Sequence, residues 1–291
     1  MANGIRVHHL DCACIQGLSI GGRHLACHCL LLETPASGLV LVDTGLGIQD
    51  LIDPAPRCGW EFAYGYARPQ RDVAYAALSR IQALGFAARD VRHIVLTHMD
   101  LDHVGGLSDF PEARVHLHQA EHAAAMARRG FKARRRYRPA FWAHGPRFAT
   151  YVEGGEPWFG FEAVRGLVEL PDDILLIPLV GHTLGHCGVA VRHDGGWLLH
   201  AGDAYFDPRE VNGPRRRCAF QVGLFQALVQ TKRRDRLRNQ ARLRQLRRDH
   251  PEIDVFSAHN PWELAAHART VPSAQQGAGA AADADAAACL A

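Results

Sequence analysis

Lysine is almost missing from this chain: only Lys132 and Lys232 stand among 33 basic residues, and the rest are arginine. Together with abundant alanine, that bias reads as genomic base composition and not as a binding device. Long apolar runs are missing too. Residues 174–180 form one of the longest, far short of the about 20 residues a membrane-spanning helix needs. Residues 1–20 lack both a basic start and a continuous apolar core, so no secretory signal is expected and a cytoplasmic location follows, with no membrane partner. A net charge of +3 does not by itself mark a nucleic-acid binder.

What is present is ordinary for a soluble domain, with 47% hydrophobic and 22% charged residues over a length of 291, which is enough for a sizeable core. Residues 1–270 read as one domain without a linker. Residues 271–291 are an Ala/Gly-rich tail with little to bury, expected to be disordered. Eight cysteines in an intracellular chain should be mostly reduced. The unusual count is histidine, at 18, and its placement decides the reading.

Five short apolar runs, at 39–42, 93–97, 174–180, 197–200 and 253–256, read as buried strands. Each closes on an Asp or His near a small residue, at Asp43, His98, His182, Asp203 and His259. Buried strands gain nothing from histidine at their tips, whereas strands packed side by side would gather those tips on one rim. Helical stretches fit between them at 71–84, 119–129 and 220–249. The fold class is α/β.

The segment Thr97-His98-Met99-Asp100-Leu101-Asp102-His103-Val104-Gly105-Gly106 carries four imidazole or carboxylate groups within six residues directly after a strand. In a tight loop, alternate side chains converge on a cation and their neighbours serve a second. This stretch resembles the His-x-His-x-Asp-His signature of the metallo-β-lactamase-fold hydrolases. Other landmarks of that superfamily follow in order: Val42-Asp43-Thr44-Gly45, Gly181-His182-Thr183-Leu184-Gly185-His186, Ala201-Gly202-Asp203 and Ser257-Ala258-His259.

The resemblance implies an αββα four-layer sandwich with metals at the edge between two sheets. It implies one divalent transition metal on His98, Asp100 and His182, and a second on Asp102, His103 and His259, with Asp203 bridging. Zinc is the leading ion, and Mn or Fe are compatible with the extra oxygen ligand. Asp43 and His186 match the residues that support the ligands. The departure is Asp100, which replaces the second histidine of the signature. It ligates as a carboxylate, or leaves the first site weakened, or marks lost catalysis. Ligation is the reading adopted, because aspartate can reach a metal from there and every other ligand is present. Three carboxylates and a hydroxide would then neutralise two divalent ions, which suits an uncharged substrate.

The implied activity is hydrolysis of an uncharged carboxylic ester, foremost a lactone such as an N-acyl-homoserine lactone, attacked by a metal-bridging hydroxide. Asp102 would shuttle the proton to the leaving alkoxide, and Tyr205 would assist at the oxyanion. Similar lactonases carry their tyrosine three residues after the bridging aspartate, where this chain has Phe206. The alternatives are a glyoxalase II-like thioesterase, a phosphodiesterase or nuclease, and a weakly catalytic metal-bearing ligand sensor.

Three further features have structural readings. Alternation on a strand would put Cys12 with Cys14, and Cys27 with Cys29, on one buried face. The arginines of residues 233–248 read as the solvated face of a helix whose buried stripe is Leu237, Leu243 and Leu246. The aromatics between 128 and 161, namely Tyr137, Trp142, His144, Tyr151 and Trp158, are pocket-wall candidates together with Phe206.

Overall fold

The computed structural model describes residues 4–268; the tail expected at 271–291 lies outside them. Among the described residues, six strands form one sheet in the order β1 (Arg6–Ile20), β2 (Arg23–Thr34), β3 (Gly38–Val42), β4 (Val91–Val95), β5 (Arg114–His118) and β6 (Arg147–Tyr151). A second sheet holds β7 (Ile174–Pro178), β8 (Cys187–His193), β9 (Gly196–His200) and β10 (Asp254–Phe256), in the spatial order β10-β9-β8-β7.

Period-2 alternation sorts each strand between two layers. Leu30 and Leu32 of β2, Val40 and Val42 of β3, and Leu176, Val189 and Val191 of the second sheet pack between the sheets. Their neighbours Leu31, Leu39 and Leu41 turn outward, under helices α1 (Ile48–Ile52), α2 (Ala55–Cys58), α3 (Ala77–Ala83), α4 (Leu101–Val104) and α5 (Gln119–Ala127). Cys12, Cys14, Cys27 and Cys29 share that outward face and are all buried, as alternation requires.

Two helices, α6 (Gly130–Arg136) and α7 (Phe220–Val229), stand at the edge near the strand tips. On the far side α8 (Arg233–Asp249) buries Leu243 and Leu246 against the second sheet. The last described helix, α9 (Pro261–Ala268), packs on β1 and β2. Helices thus cover both outer sheet faces, which gives the αββα sandwich.

Two local expectations need correction. The stretch 220–249 is two helices, because the amides of Thr231 and Lys232 turn aside to donate to the carbonyls of Gly181 and His182. The arginine face of α8 is only partly solvated. Arg236 is buried beside Glu210 at 3.6 Å, Arg242 pairs with Glu162 at 3.0 Å, and Arg244 and Arg247 donate to the carbonyls of Glu210 and Val255. These are tertiary clamps.

Candidate metal centre

Strand direction places the site. The parallel pair β3/β4 and the parallel pair β9/β10 deliver their C-terminal ends to one rim. The amide of Cys187 on β8 donates to the carbonyl of Thr97 at 2.9 Å and so ties the two sheets at that rim. The residue before Asp203 is Gly202, at φ +53°; a Cβ there would lie 2.6 Å from Nε2 of His186, so only glycine lets the loop close.

Seven side chains meet at this rim. Oδ2 of Asp203 lies 3.4 Å from Nε2 of His182 and 3.8 Å from Nε2 of His98, and Asp100 Oδ2 completes that side at 2.8 and 3.5 Å from the same nitrogens. Oδ1 of Asp203 lies 3.3 Å from Nε2 of His103 and 3.2 Å from Nε2 of His259. Asp102 completes the other side, 3.4 Å from His259 and 4.0 Å from His103. One carboxylate therefore faces two triads, one with each oxygen.

The outer hydrogen bonds fix how the rings present themselves. The Nδ1–H groups of His98, His103 and His259 donate outward, to Thr97 Oγ1 at 2.9 Å, Asp43 Oδ2 at 2.8 Å and the Ala26 carbonyl at 2.7 Å. In a neutral ring that leaves the Nε2 lone pair aimed at the centre. Asp43 also accepts from the Thr97 amide and hydroxyl, and holds an unusual φ of 55° to do so. His186 is used the other way round: Nδ1–H donates to the Leu179 carbonyl, and Nε2 accepts the Asp203 amide at 2.8 Å. It positions Asp203 and has no lone pair left over for an ion.

The charges show what the site is built to receive. Burial pushes the carboxyls of Asp100 and Asp203 up, yet their neighbours hold both well below the usual carboxylate range: foremost the Arg136 guanidinium for Asp100, and His259 and His103 for Asp203. Burial lowers His259, but Asp203 and Asp102 outweigh it and raise the ring to about 10; Asp203 and Asp43 likewise raise His103. Carboxylates gathered this tightly draw protons onto imidazoles unless a cation replaces them. His98 Nε2 and Asp203 Oδ1 are buried without a hydrogen-bond partner. Orphaned acceptors of this kind, beside three carboxylates, fit divalent ions.

Several functional groups escape the sequence reading. Arg136 places Nε 3.3 Å from Asp100 Oδ1 and donates to the carbonyls of His182 and Val229. Its charge offsets that of Asp100, so the neutral cluster expected from the His-to-Asp replacement is not what a substrate meets. Glu121, at the start of α5, is fully buried. It accepts from the Met99 amide, the Thr183 hydroxyl and the Gly185 amide, and so locks together the two loops that carry His98 and His182.

The cluster sits at the bottom of a cavity of about 630 Å³. Its walls are Ile15 and Leu18 of β1, Phe62 and Tyr66 of a π-helical turn at Glu61–Tyr66, and Phe225 and Leu228 of α7. Phe206 lines it as expected, stacked on His259 with ring centroids 5.1 Å apart. The other expected pocket residues lie elsewhere. Tyr137 is buried and donates to Glu121, and Trp158 is buried beneath the second sheet. Tyr151 bonds His116, Trp142 packs on the helix-side core, and His144 is exposed. Segment 128–161 does reach the cavity, through Phe131, Lys132, Arg135, Arg136 and Arg138. Tyr205 is likewise corrected: its side chain turns behind the rim and its hydroxyl donates to Glu263 at 3.0 Å, away from the cluster.

The comparisons agree with this architecture. Residues 22–259 match the metallo-beta-lactamase superfamily. A probable metallo-hydrolase of Mycobacterium tuberculosis is 42% identical over 258 residues, covering 88% of this chain and 81% of that protein. An N-acyl homoserine lactonase of Agrobacterium fabrum is 32% identical over 95 residues, 33% of this chain and 35% of its own. The solved structure of an N-acyl homoserine lactone hydrolase with N-hexanoyl-L-homoserine at its catalytic metal centre superposes with a TM-score of 0.65. It is 18% identical, and the match covers 91% of this chain and 96% of that one. A superfamily match over most of the chain, on a fold that gathers His and Asp at one rim, settles the class: this chain belongs to the metallo-β-lactamase superfamily and is a metallo-hydrolase.

Proposed function

We propose that the protein hydrolyses a carboxylic ester, foremost a lactone with an apolar acyl chain, using two divalent ions, zinc first among them. The observation that carries this is Asp203, whose two oxygens face separate triads: His98, Asp100 and His182 on one side, Asp102, His103 and His259 on the other. Seven donors exceed what one four-coordinate ion uses. Bound there, the ions would supply a polarised ester carbonyl and a water acidic enough to attack near neutral pH.

The chain's own groups do the rest. Asp102 lines the cavity and is part-exposed, so it can take the proton from the attacking water and pass it to the leaving alkoxide. Phe206 holds the plane of His259 and, with Phe62 and Phe225, excludes water from the reacting end. With Tyr205 turned away, no tyrosine hydroxyl is assigned to the oxyanion. The apolar walls favour an acyl chain, and the choice of an uncharged substrate now rests on them and not on the charge of the cluster.

A panel of lactones of increasing acyl length, thioesters and bis-nitrophenyl phosphate, assayed on metal-replete protein, tests the reading. The expected ranking puts lactones first, with kcat/KM rising with acyl length. A preference for thioesters, or for the phosphodiester, would replace it.

A further inference from the structure

The cavity opens onto a surface that ester hydrolysis does not explain. Residues 122–152 contain no Asp or Glu but eight Lys and Arg; residues 211–234 again contain no acid, and six cations. These two stretches carry α6 and α7, which flank the cavity mouth. Lys132 joins them by donating to the Gln230 carbonyl at 2.8 Å, and Arg135 joins α6 to the 61–66 turn through Glu61 at 3.2 Å.

Large apolar side chains stand out on this basic ground. Phe220, Leu224 and Leu228, spaced four apart on one face of α7, are 85%, 52% and 67% exposed. Phe131 on α6 is 75% exposed, and Trp60, beside the 61–66 turn, is 73% exposed. Single exposed apolar residues need no explanation, but a group of them around one opening marks a contact surface.

We propose that this face docks on an anionic lipid surface, with Phe220, Leu224, Leu228, Phe131 and Trp60 entering the headgroup boundary and the surrounding arginines meeting lipid phosphates. A second copy of the chain is the poorer occupant. A two-fold contact would press acid-free segments against themselves, cation on cation. A bilayer surface offers negative charge with apolar material directly beneath, which is what an apolar patch ringed by arginine complements. Leu228 and Phe131 belong both to the patch and to the cavity wall, so an apolar substrate could pass from lipid to the site without crossing water. No described helix is long and apolar enough to cross a membrane, which bears on spanning and leaves surface binding open. Docking is independent of the ester assignment.

Full-length, metal-replete protein is sedimented with vesicles of phosphatidylcholine alone, or of phosphatidylcholine mixed with phosphatidylglycerol. Binding is expected only to the anionic vesicles, and it should weaken with salt. The pair Phe220→Ser with Leu224→Ser, and separately Arg129→Glu with Arg134→Glu, should each lower partitioning by at least about tenfold. Circular dichroism and metal content should stay as in the wild type. Absence of binding to anionic vesicles, or unchanged binding in both variants, overturns the proposal. If light scattering instead finds a dimer that the Phe220/Leu224 variant dissolves, with no vesicle binding, the face is an interface between copies and the lipid assignment is overturned.

Discussion

Arg136 Nε lies 3.3 Å from one oxygen of Asp100, while the other oxygen of the same carboxylate lies 2.8 Å from Nε2 of His182. The signature histidine is neutral; here a carboxylate and a guanidinium take its place and together carry the same net charge. Because the guanidinium also holds the carbonyls of His182 and Val229, it fixes Asp100, the His182 loop and the end of α7 at once. Arg136→Ala is therefore expected to destabilise the fold by about 2–4 kcal/mol, since it takes the cationic partner from one oxygen of a largely buried carboxylate and the donors from two carbonyls. Arg136→Lys should keep the charge but lose the paired carbonyl contacts, and fall between. Denaturant unfolding of the three proteins measures this, and an Arg136→Ala variant as stable as the wild type would remove Arg136 from the account.

Asp203→Ala takes one oxygen from each triad, so metal content should drop on both sides, and activity should fall by more than in any single arginine variant of α8. Elemental analysis after reconstitution, with ester turnover on the same samples, provides the check. If Arg242→Ala or Arg244→Ala cost as much activity and also abolished nucleic-acid binding, a nuclease would be the better reading.

The site was legible in the sequence because its residues crowd into short signatures at strand tips. His98 to His103 lie within six positions, and His182, Asp203 and His259 each follow an apolar run. Long-range partners leave no such local mark. Arg136 sits in a run of arginines that all look alike until the fold aims one at Asp100. The π-helical turn that walls the cavity with Phe62 and Tyr66 has no periodicity to announce it. Alternation at Cys12/Cys14 and Cys27/Cys29 points to strands, but the full length of the β1/β2 hairpin is not legible, because Asp11 and several histidines interrupt the pattern and β1 shifts register between Asp11 and Cys14 and again before Ser19. Tyr205 and Trp158 illustrate the converse limit. Proximity in sequence to the site does not say toward which layer a side chain turns.

Glu263, which accepts the Tyr205 hydroxyl and the Ser257 amide, gives a prediction in pH. Burial raises its carboxyl from 4.5 to about 7. The folded state then holds a proton that the unfolded chain releases earlier, so the stabilisation is complete below the unfolded value and is lost as pH rises toward 7. Wild-type stability should fall on the order of 1–3 kcal/mol between pH 5 and pH 8 from this group. Glu263→Gln should flatten that fall while keeping the Tyr205 contact. Urea titrations at several pH values decide it, and an identical slope in the variant would mean Glu263 is not the titrating group.

The last prediction couples Asp100 to Arg136. If Asp100 holds an ion with His98 and His182, Asp100→Ala should weaken that ion by about tenfold or more while sparing the other side. Asp100→His should retain two ions, but it leaves the buried guanidinium facing an imidazole and is therefore expected to fold less stably than the wild type. Removing that guanidinium as well, in Asp100→His with Arg136→Ala, should recover part of the loss, so the two changes should not add. A coupling of about 1–3 kcal/mol is expected for charged groups in direct contact. Metal titrations and denaturant unfolding on the wild type, both single variants and the double variant close the cycle. Additive stabilities would show that Arg136 does not act through Asp100, and unchanged metal affinity in Asp100→Ala would take Asp100 out of the ligand set. The substrate consequence follows from the same proteins. Asp100→His with Arg136 kept carries one more positive charge beside the cavity, so its kcat/KM should shift from neutral lactones toward anionic esters, and the double variant should shift back.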